Sequence, residues 1–126
     1  MQPTSLIKAI GDQMKYSYIL RINCTNNQSE EITQLLNVKP TLSTYKRWEF
    51  EIVQDYDSEY IYYVQNFLDI LKDKYNQLEH IGVSRDCIEI WIYYEYDQQC
   101  NMEFSPEDLK NIGNNGIALC ISCWQK

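Results

Sequence analysis

A chain of 126 residues suits one domain with one core, and an apolar content of 44% excludes general disorder. The net charge of −7, from 18 acids against 11 bases, argues against nucleic-acid or anionic membrane binding, which calls for clustered Lys and Arg. Five cysteines at irregular spacing do not form the even framework of a disulfide scaffold. The early apolar run of Leu6, Ile7, Ala9 and Ile10 stops at Gly11-Asp12, too soon for a secretory signal, so a reduced cytoplasmic protein is expected.

Residues 1–14 read as a leader or a short helical turn, and residues 15–126 as a single α+β domain. From Lys15 the pattern has period two: Tyr16, Tyr18, Leu20, Ile22 and Cys24 face one way, and Ser17, Ile19, Arg21 and Asn23 the other. A turn from Thr25 to Ser29 leads into a short helix, with Glu30 and Glu31 in its first turn and Ile32, Leu35 and Leu36 on its buried stripe. The helix must end before Pro40. A second strand is predicted over Ser43 to Val53, with Lys46, Trp48, Phe50 and Ile52 toward the core.

The dominant element is a long helix predicted from Asp57 to His80. Its apolar residues Ile61, Val64, Leu68, Leu71, Tyr75 and Leu78 step by three and four, which places them on one face. Asp57 or Ser58 can cap its start, and Gly82 lies just past its end. A third strand is predicted over Cys87 to Tyr96, with Ile88, Ile90, Ile92, Tyr94 and Tyr96 inward and Glu89, Trp91, Tyr93 and Glu95 outward. A turn at Asp97-Gln98-Gln99 suggests a hairpin to a short strand over Cys100 to Phe104. Ser105-Pro106-Glu107-Asp108 carries a cap, a first-turn proline and first-turn acids, the clearest helix start in the chain. Gly113 to Gly116 ends that helix, and a last strand runs from Ile117 to Trp124. Each half then reads as a β-α-β unit, joined by the long helix. The fold class expected is α+β, a mixed sheet of about five strands with helices on one face, ferredoxin-like.

The run Glu31-Ile32-Thr33-Gln34-Leu35-Leu36-Asn37-Val38-Lys39-Pro40-Thr41 resembles the start of a bacterial group, domain of unknown function 4279. Trp48 in the second strand, the long helix, the aromatic third strand and the run Phe104 to Leu109 follow in that group's order, over about residues 16 to 124. The resemblance implies the fold and a cytoplasmic bacterial setting. It implies no activity and no catalytic residue.

Chemistry-bearing motifs are sparse. Cys120-Ile121-Ser122-Cys123 spells C-x-x-C, but within a strand its odd spacing sends the two thiols to opposite faces. No His pair or second C-x-x-C completes four ligands, so no metal and no cofactor are expected. His80, the only histidine, can pair with Cys87 as a nucleophile or neutralise a helix C-terminus, and the latter is the simpler reading. Glu49, Glu51, Glu89 and Glu95 share an outer face, as acid/base carboxylates or as a solvated surface would.

Acids are segregated. Seven lie between Asp86 and Asp108 and five between Glu49 and Glu59, with no base in either run, which favours a positively charged partner. If helices cover one side of the sheet, Ile19, Trp91, Tyr93, Cys120 and Trp124 point to the other, rimmed by Glu49, Glu89, Glu95 and Arg21. The expected function is a non-enzymatic protein-interaction module, antidote-like toward a basic partner or a homodimer. Its partner-binding residues would be Ile19, Glu49, Glu89, Trp91, Tyr93, Glu95 and Trp124. The alternative is a small-ligand binder or acid/base enzyme using the carboxylates of that face.

Overall fold

Eight residues, Tyr16–Asn23, form the middle strand of the sheet (β1). The computed structural model describes residues 16–25, 28–55 and 57–125, so the expected leader at 1–14 lies outside the described residues. β1 pairs antiparallel with β3 (Arg47–Gln54) on one side and with β4 (Ile88–Tyr96) on the other. A two-residue strand β2 (Leu42–Ser43) flanks β3, and β5 (Ala118–Gln125) runs parallel to β4. The order is β2-β3-β1-β4-β5, a mixed five-stranded sheet.

Alternation along the strands builds the core. Tyr18, Leu20 and Ile22 of β1, Trp48 of β3, and Ile88, Ile90 and Ile92 of β4 are buried in one cluster. The same cluster holds Ile32 and Leu36 of α1 (Gln28–Leu36), Tyr63, Val64, Phe67 and Leu71 of α2 (Tyr63–Leu71), Leu78 of α3 (Tyr75–His80) and Ile112 of α4 (Pro106–Asn114). The four α-helices of the described residues therefore pack on one side of the sheet. Trp48 is fully buried, and its indole N–H donates to Thr33 Oγ1 at 3.0 Å, so the largest side chain of the core leaves no polar atom unpaired.

The strand expected over Ser43 to Val53 is a hairpin. Thr44 N–H donates to the Arg47 carbonyl at 2.8 Å, and Thr44 Oγ1 accepts from Lys46 N–H at 3.2 Å. A hydroxyl that satisfies the backbone locally competes with the ladder, and here it turns the chain. Lys46 is consequently exposed at the turn rather than aligned with Trp48 toward the core. The turn also reverses direction, so the segment that follows α1 returns beside β1 antiparallel. Of the two expected β-α-β units, only β4-α4-β5 is parallel, and the strand order is not that of a simple ferredoxin-like fold.

The predicted long helix is two helices. Its first six residues are not helical, because Gln54 holds them as a loop. The buried Gln54 amide donates to Ser58 Oγ and the Glu59 carbonyl, both at 2.9 Å, and its oxygen accepts from Ile61 N–H at 2.7 Å. Neither Asp57 nor Ser58 is a helix cap. Between α2 and α3, Asp73 adopts φ 63°, a left-handed conformation that a continuing helix cannot include and that Asp tolerates better than most residues. Leu68, central to the predicted stripe, is only partly buried, whereas Phe67 beside it is fully buried. The stripe is rotated toward the residue that brings more apolar area.

Residues 100–104 form no strand. Both edges of β4 are occupied, by β1 and β5, which leaves no side of β4 for the predicted hairpin to use. The helix start at Ser105 is as predicted: its hydroxyl accepts from Asp108 N–H at 3.0 Å, and Pro106 opens α4. Among the described residues no helix is long and apolar enough to cross a membrane.

Phe67→Ala should destabilise by roughly 3–5 kcal/mol and Leu71→Ala by roughly 2–5 kcal/mol, because each empties a fully buried site. Glu79→Ala, exposed on α3, should stay within about 0.5 kcal/mol of wild type. Urea midpoints of the three variants check this, and equal midpoints would reject the packing described.

Candidate functional site

The face of the sheet opposite the helices centres on a charge. Arg21 of β1 is only 6% exposed, and its Nε donates to Glu49 Oε2 of β3 at 2.6 Å. Its Nη2 donates to the Tyr93 hydroxyl of β4, and the guanidinium lies 4.5 Å from the centre of the Trp91 ring. Register sets this up: Arg21 stands opposite Glu49 on one side and Glu89 on the other, with Trp91 and Tyr93 successive outward residues of β4. Burial by itself would lower the Arg21 pKa, but the bonds to Glu49 and Tyr93 outweigh it and raise it. Trp91 Nε1 donates to Glu89 at 2.8 Å, and Ser17 Oγ donates to Glu51.

The sequence-predicted partner residues do share this face, in three grades of access. Ile19 and Glu49 are buried, so they support the surface rather than present it. Glu89, Trp91, Tyr93 and Glu95 are half-buried. Trp124, register partner of Glu95, is 46% exposed. Arg21, expected on the rim, is the buried centre. The sequence carries a signal for it, an arginine at an outward position of a strand that reads as central.

Three of the four carboxylates are engaged on separate donors: Glu49 serves Arg21, with Arg47 at 3.6 Å, Glu51 serves Ser17, and Glu89 serves Trp91. The C-x-x-C lies in β5 as expected, with Cys120 the register partner of Trp91 and Cys123 that of Tyr94, on opposite faces. Cys87 meets Ser84 (Oγ to Sγ 3.7 Å), and His80 is exposed at the end of α3. Among the described residues no group of three or more His, Cys, Asp or Glu is placed to hold a metal ion.

β5 is the edge of the sheet. Among the described residues no strand pairs with its outer side. It reads Ala-Leu-Cys-Ile-Ser-Cys-Trp-Gln, without charge or proline, and Ile121 and Trp124 are exposed. Edge strands ordinarily carry such guards against pairing.

On the helix side, sequence reasoning missed a row of tyrosines. Tyr94, Tyr16, Tyr18 and Tyr63 stack with successive ring centres 4.3, 5.9 and 4.0 Å apart. Tyr16, Tyr18, Tyr60 and Tyr63, together with residues 101–104, line a cavity of about 210 Å³. The period-two placement of Tyr16, Tyr18 and Tyr94 was legible, but the seating of Tyr63 against them depended on where α2 begins. Comparison with family models, with curated proteins and with solved structures finds no match.

Glu49→Gln should cost roughly 3–5 kcal/mol, because it leaves Arg21 buried without its counter-charge. Glu95→Gln on the same face should stay within about 0.5 kcal/mol. Comparable urea midpoints for the two would show that the pair is not the anchor described.

The tyrosines set an alkaline limit. Burial first, and the hydrogen bond with Tyr94 second, push the Tyr16 phenol up to about 12, and burial pushes Tyr18 and Tyr63 up as well. A phenol whose folded-state pKa is raised stabilises the fold fully below its ordinary value of 10.0 and loses that contribution as pH climbs through the raised value. Stability should therefore fall between about pH 10 and about pH 12, and fall less in Tyr63→Phe, as read from urea midpoints across that range. An equal fall in both proteins would exclude this tyrosine as a source.

Proposed function

We propose that this protein is a non-enzymatic interaction module that takes up an extended, basic segment of a partner protein along β5. The observation that carries the reading is the edge itself: eight uncharged, proline-free residues with exposed Ile121 and Trp124, beside the half-buried Glu89, Trp91, Tyr93 and Glu95. A strand added to such an edge gains main-chain hydrogen bonds, and its alternate side chains meet the acidic, aromatic face. Charge complementarity favours a basic strand over a second copy, because two chains of net charge −7 repel each other. The kinship to domain of unknown function 4279, the cytoplasmic bacterial setting and an antidote-like role toward a basic partner belong to the same proposal. The separate engagement of Glu49, Glu51 and Glu89 weighs against acid/base catalysis on this face.

A labelled peptide alternating Lys with Val is the probe. It should bind at low salt, and binding should weaken as ionic strength rises. Ile121→Lys places a charge on the edge and should reduce binding by about tenfold or more without altering far-ultraviolet circular dichroism. Unchanged binding in Ile121→Lys would overturn the edge as the site. A mass of two chains by light scattering, lost in the same variant, would replace the basic partner with a second copy.

A further inference from the structure

The row of tyrosines borders a cavity that partner binding along β5 does not use. Its walls are largely aromatic: Tyr16, Tyr18, Tyr60, Tyr63 and Phe104 line about 210 Å³. Tyr60, Tyr63, Glu103 and Phe104 also line an adjoining cleft of about 680 Å³, whose other walls include Tyr62, Glu107 and Asp108. Tyr60 and Tyr62 stand almost perpendicular, 86° between ring planes with centres 5.0 Å apart, so they offer ring faces in two orientations. Tyr18 and Tyr63 are buried and stack at 4.0 Å. The walls are positioned by the fold. The Gln54 amide donates to the Glu59 carbonyl at 2.9 Å and its oxygen accepts from Ile61 N–H at 2.7 Å, which clasps the main chain on both sides of Tyr60. Gln54 is buried and itself lines the cavity. On the acidic side, the Ser105 cap fixes Asp108 in the first turn of α4. Among the described residues no Lys, Arg or His lines either space, whereas three carboxylates do.

Aromatic rings carry negative charge density on their faces and attract a cation, most strongly where water is excluded. Carboxylates beside the rings supply the counter-charge that a cation leaving water requires. A metal ion is a poor match, because among the described residues no group of three or more His, Cys, Asp or Glu is placed to hold one. A bare ammonium is compact and strongly hydrated. A methylated ammonium sheds its water more readily and fills an aromatic enclosure with apolar methyl groups. An uncharged apolar ligand would make no use of Glu103, Glu107 and Asp108. We propose that this aromatic, acid-lined cavity binds a methylated ammonium group, of the choline class when free or of the trimethyllysine class when carried on a peptide. The 210 Å³ chamber is below the size of a drug-sized pocket and suits the headgroup, and the adjoining cleft takes the chain that bears it. Tyr60 and Tyr62, left 53% and 72% exposed, are the rings an incoming cation meets first. No residue of β5 lines either space, so the site is separate from the edge described above.

The probes are choline and its neutral isostere, in which carbon replaces the ammonium nitrogen. Binding is read by nuclear magnetic resonance on the full-length chain labelled at its methionine methyl groups. Met102 lines the cavity, and its signal is assigned by its loss in Met102→Leu. Choline should shift that signal saturably with a dissociation constant of about 1 mM or less, and the isostere should bind about tenfold more weakly. Tyr60→Ala, and separately Glu103→Gln combined with Asp108→Asn, should each weaken choline binding about tenfold with far-ultraviolet circular dichroism unchanged. Tyr62→Ala, which removes a ring exposed to solvent, serves as the second variant should Tyr60→Ala misfold. Tyr45→Ala, exposed between β2 and β3 and outside the cavity, should bind as wild type does. An acetylated trimethyllysine amide that binds more tightly than choline would assign the group to a peptide, and the reverse order would assign it to a free molecule. No saturable shift with either cation, equal affinity for choline and its isostere, or unchanged binding in Tyr60→Ala and Tyr62→Ala would each overturn the proposal. The Lys-Val peptide reports on the β5 edge and choline on the cavity, so the two readings can fail separately.

Discussion

An arginine sits in the middle strand of the sheet, and much of the structure is arranged so that it can stay there. Taking Arg21 out of water carries a penalty of several kcal/mol unless its charge is matched and its N–H groups are bonded. Glu49 supplies the charge from β3, Tyr93 a hydroxyl from β4, and Trp91 a ring face. All three contacts require one register. A slip of one residue on either side of β1 would turn Arg21 into the helix-side cluster and expose Leu20 and Ile22. The same register places Tyr16, Tyr18 and Tyr94 in one row on the opposite face.

The helix layer is held by polar side chains at its breaks as much as by its apolar stripes. Gln54 ends β3 and organises the loop before α2, so that Tyr63 and not Ile61 opens the helix. Asp73 releases the chain from α2, and Tyr75, the first residue of α3, takes the Arg85 guanidinium 3.5 Å from its ring centre. Arg85 in turn donates to the Asn115 carbonyl at 2.8 Å and so ties the end of α4 to the turn before β4. A straight helix over Asp57 to His80 would forgo these connections, which is why its regular spacing did not prevail.

Asymmetry at the two edges of the sheet gives the surface its character. At one edge β2 is only two residues long, a length that offers little to pair with. At the other, β5 is eight residues long and unguarded, and it carries both exposed Trp124 and the Cys123 thiol. Acids concentrate on β4 and in the segment leading to α4, beside that open edge. Among the described residues β5 is also the only strand that runs parallel to its neighbour.

Local pattern determined the elements whose forces are local. Strict alternation in Tyr16 to Asn23 and Ile88 to Tyr96 marked two strands and their inward faces, and Ser105-Pro106-Glu107-Asp108 marked a helix start to the residue. The shared outward face of Ile19, Glu49, Glu89, Trp91, Tyr93, Glu95 and Trp124 was legible for the same reason. Tertiary structure decided what depends on neighbours. Residues 100–104 have a strand-like composition but find both sides of β4 occupied. The Asp57–His80 stripe yields to Gln54, whose partners become apparent only once β3 ends beside the loop. The depth of Arg21 and the row of tyrosines each need strands set side by side in register, and the pairing of distant strands is written in no single stretch of the chain.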